Sequence, residues 1–158
     1  MTENNAGPDS GPFTEIKMKK ELITRSSEET LMFGEKFGRD LKKGDVVALT
    51  GDLGAGKTII AKGIAMGMDI IEDITSPTFT LMEIYDGHIP LYHFDLYRIE
   101  NESELDLLYF EEYWENGGIS VIEWADRAGS RLPDNTIRIN IEYIDENSRR
   151  IVIERPDN

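Results

Sequence analysis

At 158 residues, with 39% hydrophobic and 30% charged side chains, the chain has the makeup of one folded unit that buries about 70% of its unfolded surface. No apolar run approaches the roughly 18 residues needed to cross a bilayer, which argues against a membrane protein, and the absence of cysteine excludes disulfides and thiolate chemistry. A net charge of −14 opposes direct binding to a polyanion and favours a protein partner or a small anion held locally.

Residues 1–15 are rich in Gly, Pro, Asn and Asp and poor in large apolar groups, so they read as a disordered polar tail ahead of one domain over 16–158. The tail has neither a basic n-region nor an apolar h-region, so the expected location is the cytoplasm. "SSEETLMFGEKFGRDL" offers Ser26 with Glu29 three later, a capping-box pattern. Phe33, Gly34, Phe37, Gly38 and Leu41 fall on one face of the helix it opens, and the two glycines permit close packing.

"GDVVALTG" runs Val46 to Leu49 without a polar break, as a strand buried on both faces does. A glycine loop follows, and then "KTIIAKGIAMGMD", with Ile60, Ile64 and Met68 at helical spacing. "TSPTFTLMEIYDGHIPLYHFDLYR" reads as two β-like runs around Asp86–Gly87, a dipeptide suited to a tight hairpin turn. "NESELDLLYFEEYWENGG" reads as a helix closed by Gly117–Gly118, with a solvated acidic face and with Tyr109, Phe110, Tyr113 and Trp114 in the core. "ISVIEW" is a buried strand ending in an acid, and "TIRINIEYI" and "RRIVIERP" form a C-terminal hairpin around "DENS". The predicted fold is α/β: a mixed, mostly parallel sheet flanked by helices, with antiparallel hairpin strands including the C-terminal pair.

Gly51, Asp52, Leu53, Gly54, Ala55, Gly56, Lys57 and Thr58 fit G-x-x-x-x-G-K-[ST] at every fixed position, between a strand and a helix. Glycines free the backbone N–H groups to converge on an anion, and the helix N-terminus adds partial positive charge at the same spot. Lys57 can then reach β- and γ-phosphates, and the Thr58 hydroxyl can ligate Mg²⁺. A chance match is the competing reading, and the strand and helix on either side weigh against it.

Hydrolysis also needs an acid near the metal and a group that orients water. Glu123 and Asp95, each ending a β-like run, are the candidates; a strand-end acid that caps the next element is the alternative for both. Ser76, Pro77, Thr78 and Phe79 form a switch-like segment whose hydroxyls suit a γ-phosphate or its water, against the simpler reading of an ordinary turn into a strand. His93 and Asp95 are spaced as a metal pair, but two neighbouring ligands do not make a site.

"GDLGAGKT", "SPTFTL", "YHFDLYR" and "IEW", in this order and spacing, resemble the bacterial TsaE (YjeE) family of small P-loop ATPases over roughly Ser26 to Pro156. The resemblance implies a role in forming N6-threonylcarbamoyladenosine in tRNAs that read ANN codons. It implies ATP and Mg²⁺ as cofactors and TsaD and TsaB as protein partners, with tRNA met only through that complex and no membrane involved. The group would be transferred by the partners, and ATP hydrolysis, slow in the chain alone, would support their turnover.

Residue by residue, the resemblance gives Lys57, Asp95 and Glu123 catalytic roles and makes Thr58 and Glu123 the Mg²⁺-side residues. It places Trp124 beside the nucleotide, and Ser27, Ser148 and Arg149 near the adenine. Ile59 and Lys62–Gly63 depart from the usual family residues without removing a group the chemistry needs. No arginine stands near the loop in sequence, which fits slow hydrolysis without a partner. Two rival functions remain open: a non-catalytic nucleotide-sensing adaptor of the same complex, and a small-molecule kinase with Asp95 as base.

Overall fold

The computed structural model describes residues 16–52, 54–75, 77 and 80–156. The tail of residues 1–15, Leu53 in the glycine loop, and Ser76, Thr78 and Phe79 of the switch-like segment lie outside the described residues. In chain order the elements are β1 (Ile16–Thr24), α1 (Ser27–Arg39), β2 (Val46–Gly51), α2 (Lys57–Gly67), β3 (Met82–Tyr85) and β4 (Leu91–Asp95). After two 3₁₀ segments, Glu102–Leu108 and Phe110–Glu115, come β5 (Ile119–Glu123), a 3₁₀ segment Ala125–Arg131, β6 (Ile137–Tyr143) and β7 (Arg149–Pro156).

All seven strands join one sheet in the order β1-β7-β6-β2-β5-β4-β3. The four central strands, β6, β2, β5 and β4, are mutually parallel, while β7, β1 and β3 add on antiparallel. The uninterrupted apolar run of β2 follows from this central place. Val47 and Leu49 enter the core under α1 and α2, and Val46 and Ala48 enter the opposite core under the 3₁₀ segments. Alternate residues of β4 and β5 are sorted in the same way, which puts Leu91, Ile119 and Val121 on the α1/α2 side.

Ser26 caps α1, accepting from the Glu29 N–H at 3.1 Å. Glu29 reaches back one residue further than a capping box requires and accepts from the Arg25 N–H at 2.8 Å. Gly34 lies against α2 so closely that a Cβ there would stand 2.7 Å from the Ile60 carbonyl oxygen and 3.0 Å from Gly63 Cα. The glycines of both helices therefore set how near α1 approaches α2.

Three expectations need correction. The run from Glu102 to Glu115 is two 3₁₀ segments rather than one helix, broken at Tyr109, whose φ of 51° is left-handed. The break turns the second segment so that Phe110 meets Phe94 edge-on with ring centroids 5.1 Å apart, while Tyr109 is left exposed rather than in the core. The acidic face is solvated as expected, with Glu102, Asp106, Glu112 and Glu115 exposed, and Arg131, far along the chain, pairs with it by donating to Asp106 Oδ1 at 2.8 Å and to Glu111 Oε1 at 2.6 Å. Finally, β3 and β4 are joined through residues 86–90, a longer loop than the tight turn that Asp86–Gly87 predicts.

β1 was not expected. Its sequence IKMKKELIT breaks the apolar alternation with lysine, and among residues 18–24 only Leu22 and Thr24 turn side chains inward. Charged residues on an edge strand oppose pairing with another sheet.

Candidate nucleotide site

The carboxyl ends of the parallel strands converge on the turn between β2 and α2. There Gly51, Gly54 and Gly56 have φ of 144°, 82° and 116°. Gly56 is the N-cap of α2, and its left-handed backbone suits no side chain at that position. Gly56 offers α2 no side-chain cap, and the first turn holds no acid, so neither answers the N–H groups and partial positive charge at this end.

Lys57 opens α2 and is buried. Its Nζ donates to the Gly51 carbonyl at 2.6 Å and the Asp52 carbonyl at 2.8 Å, and lies 4.1 Å over the Trp124 ring. Burial pushes its pKa below the usual lysine value, against the opposing pull of Glu123, Asp52, Asp95 and Asp126. The loop carbonyls and the indole thus hold a cation ready to be handed to a stronger anion.

Asp95 and Glu123 end β4 and β5 and are paired across the parallel ladder. Both are buried. Glu123 Oε1 accepts from the Thr58 hydroxyl at 3.0 Å, and Oε2 lies 2.7 Å from His93 Nε2. Asp95 Oδ1 accepts from the Tyr97 N–H at 3.0 Å, so one of its oxygens shapes the turn after β4. Trp124 follows Glu123 in a left-handed conformation, φ 57°, which lays its ring beside both Lys57 and Tyr97.

A cleft of about 70 Å³ opens on the other side of the loop, bordered by Ser27, Gly54 to Gly56, Ile59, Asn147 and Arg149. Ser148 is buried in the hairpin turn, where its N–H donates to Asp145 Oδ1 at 2.9 Å, and it does not border the cleft. Arg149 does lie at the loop in space: its Nε donates to the Ala55 carbonyl at 2.8 Å and its Nη1 to the Asp145 carbonyl at 2.7 Å. Those bonds tie the β6–β7 hairpin to the loop. A larger, mostly apolar groove of about 480 Å³ lies between α1 and the β1–β7 edge and includes no loop residue.

The described residues therefore bring Lys57, Thr58, Asp95, Glu123 and Trp124 together, with Ser27 and Arg149 on the far wall of the loop. Of the switch-like segment only Pro77 is described; it is buried, and its carbonyl accepts from the Leu81 N–H at 2.6 Å. Sequence reading sets His93 aside as half of an insufficient metal pair with Asp95 and misses its contact with Glu123. The signal was its position two residues ahead of the acid in a strand parallel to β5. Glu146 and Asn147 at the cleft were also missed, because nothing in a polar hairpin turn marks it as near the loop.

Thr58 and Glu123 supply a hydroxyl and a carboxylate, hard oxygen donors of the kind Mg²⁺ takes. Among the described residues no three His, Cys, Asp or Glu side chains are grouped to hold a metal alone. A cation between Thr58 and Glu123 would need further oxygens from a phosphate or water, which fits Mg²⁺ carried by a nucleotide.

A family model described as "Threonylcarbamoyl adenosine biosynthesis protein TsaE" matches residues 24–151. The chain belongs to the TsaE family. It is 40% identical over 131 residues to the tRNA threonylcarbamoyladenosine biosynthesis protein TsaE of Treponema pallidum, covering 83% of this chain and 97% of that one. To the TsaE protein of Bacillus subtilis it is 42% identical over 129 residues, covering 81% and 80% of the two chains. The crystal structure of Bacillus subtilis YdiB superposes with a TM-score of 0.75 at 34% identity, covering 89% of this chain and 88% of that one. The TsaE match takes in α1, the glycine loop, Asp95, Glu123, Trp124 and the β6–β7 turn. Among the described residues no helix is long and apolar enough to cross a membrane.

Proposed function

We propose that this TsaE protein binds and hydrolyses Mg²⁺·ATP in the biosynthesis of tRNA N6-threonylcarbamoyladenosine, acting on the TsaD–TsaB complex to sustain its turnover rather than transferring the group itself. The observation that carries this reading is the Thr58–Glu123 contact of 3.0 Å beside Lys57 at the uncapped start of α2. A phosphate received by the loop N–H groups would draw Lys57 from the Gly51 and Asp52 carbonyls. Mg²⁺, when bound, would offset charge on the β- and γ-oxygens. Thr58 and Glu123 hold that side of the site, and Asp95, one strand over, orients water. Arg149 is committed to backbone carbonyls and supplies no arginine finger, which is in keeping with slow hydrolysis until a partner engages.

The net charge of −14 supports contact with tRNA through the partners rather than directly. The test is to quantify modified tRNA formed by TsaD and TsaB over many turnovers, with and without this protein and ATP. Product limited to about one turnover without it, and continuing with it, is the expected result. Equal multi-turnover yields would overturn the proposal.

One observation favours a second reading, a nucleotide-sensing adaptor: Asp95 is 3% exposed and already bonded in its turn, so ATP binding alone would serve to change shape. It predicts the same partner dependence with tight ATP binding and no phosphate release.

A further inference from the structure

Glu123 can act on the metal side only if its carboxylate is held in one rotation, and the strand end alone does not impose that. The register of β4 on β5 pairs His93 with Val121 and Asp95 with Glu123, so His93 lies diagonal to Glu123 on the α1/α2 face. Its side chain is 0% exposed, and Nε2 is 2.7 Å from Glu123 Oε2. Among the described residues Nδ1 is buried with no hydrogen-bond partner. A carboxylate oxygen can only accept, so Nε2 carries the hydrogen.

Leu91 and Val121 beside it show that an apolar side chain suits this layer, and an imidazole with one unmet nitrogen is a poor way to fill it. Its one polar contact among the described residues is with the acid that also receives the Thr58 hydroxyl.

We propose that His93 is a positioning residue for Glu123, donating from Nε2 to Oε2 and thereby directing Oε1 to Thr58 and the divalent cation of a bound nucleotide. The proposal rests on the reading of Glu123 as the metal-side acid. Outer partners of this kind typically change metal affinity by about 10–100-fold when removed.

The experiment titrates Mg²⁺ against binding of a non-hydrolysable ATP analogue. It compares wild type with His93→Leu, His93→Gln and His93→Asn, and repeats His93→Leu in a Glu123→Ala background. Analogue affinity in EDTA and thermal midpoints are measured in parallel. His93→Leu should raise the half-saturating Mg²⁺ by about 10-fold or more and leave the EDTA affinity unchanged. His93→Gln, whose amide reaches the place of Nε2, should recover most of the loss, and His93→Leu should add nothing once Glu123 is Ala. If His93→Leu does not fold, the contrast between His93→Gln and the shorter His93→Asn decides, with only Gln retaining Mg²⁺ affinity.

A Mg²⁺ dependence present in wild type and unchanged in His93→Leu overturns the role of His93 alone, as does equal loss in His93→Gln and His93→Asn. Wild-type binding with no Mg²⁺ dependence overturns the reading of Glu123 and this proposal with it.

Discussion

The Thr58 hydroxyl and Glu123 Oε1 meet at 3.0 Å although 65 positions separate them in the chain. One opens α2 and the other ends β5, and the parallel pairing of β2 with β5 sets both at the same edge of the sheet. If this contact marks the metal side, Thr58→Ala should lower Mg²⁺-dependent hydrolysis by on the order of 10²-fold, since a metal ion contributes several kcal/mol to phosphoryl transfer. Nucleotide affinity in EDTA should hold. Initial-rate assays across a Mg²⁺ series would read both effects.

Lys57 over Trp124 gives a direct optical handle. The 4.1 Å cation–π contact is worth about 0.5–2 kcal/mol, less than a charge-assisted bond to phosphate would add. Nucleotide binding should therefore separate the pair and change indole fluorescence. The change should survive Trp114→Phe and vanish in Trp124→Phe, the two tryptophans of the chain being these.

Gly34 sets the approach of α1 to α2, and Gly34→Ala should destabilise the fold by about 1–3 kcal/mol, the usual cost of overpacking. Met32→Ala, on the exposed side of the same helix, should change stability by about 0.5 kcal/mol or less. Urea denaturation of the two variants beside wild type gives the comparison.

The Arg131 cluster predicts a limb in the acid stability curve. The guanidinium holds the Glu111 carboxyl below the usual carboxylate range, so near that range the unfolded chain binds more protons than the folded one. The stabilisation is present above the unfolded value of about 4.3 and is lost as pH falls through the lowered folded value. Glu111 is about half exposed, so screening by solvent keeps the effect to about 1 kcal/mol at most. Thermal midpoints of wild type and Glu111→Gln should differ near neutral pH and converge in acid.

The parts of this molecule that were legible in sequence are those with local causes. The glycine loop between an apolar strand and a helix, the Ser26 cap, and acids at the ends of β4 and β5 each follow from residues close together in the chain. What was not legible depends on distant partners. β1 carries too little apolar alternation to be seen as a strand, because its role is to pair with β7 at an edge. The 3₁₀ break at Tyr109 goes with the contact of Phe110 on the distant Phe94, and the Arg131 clamp with a third segment folding back. His93 was visible as a residue, but its link to Glu123 exists only once the register of β4 on β5 is known.

The central claim is that these residues hydrolyse ATP and that partners accelerate it. Its most direct test is steady-state phosphate release by wild type, Lys57→Ala and Asp95→Ala, each alone and with TsaD and TsaB. The account predicts slow release by wild type alone, a clear increase with the partners, and loss of both in the two variants. Equal rates for wild type and Lys57→Ala would contradict it.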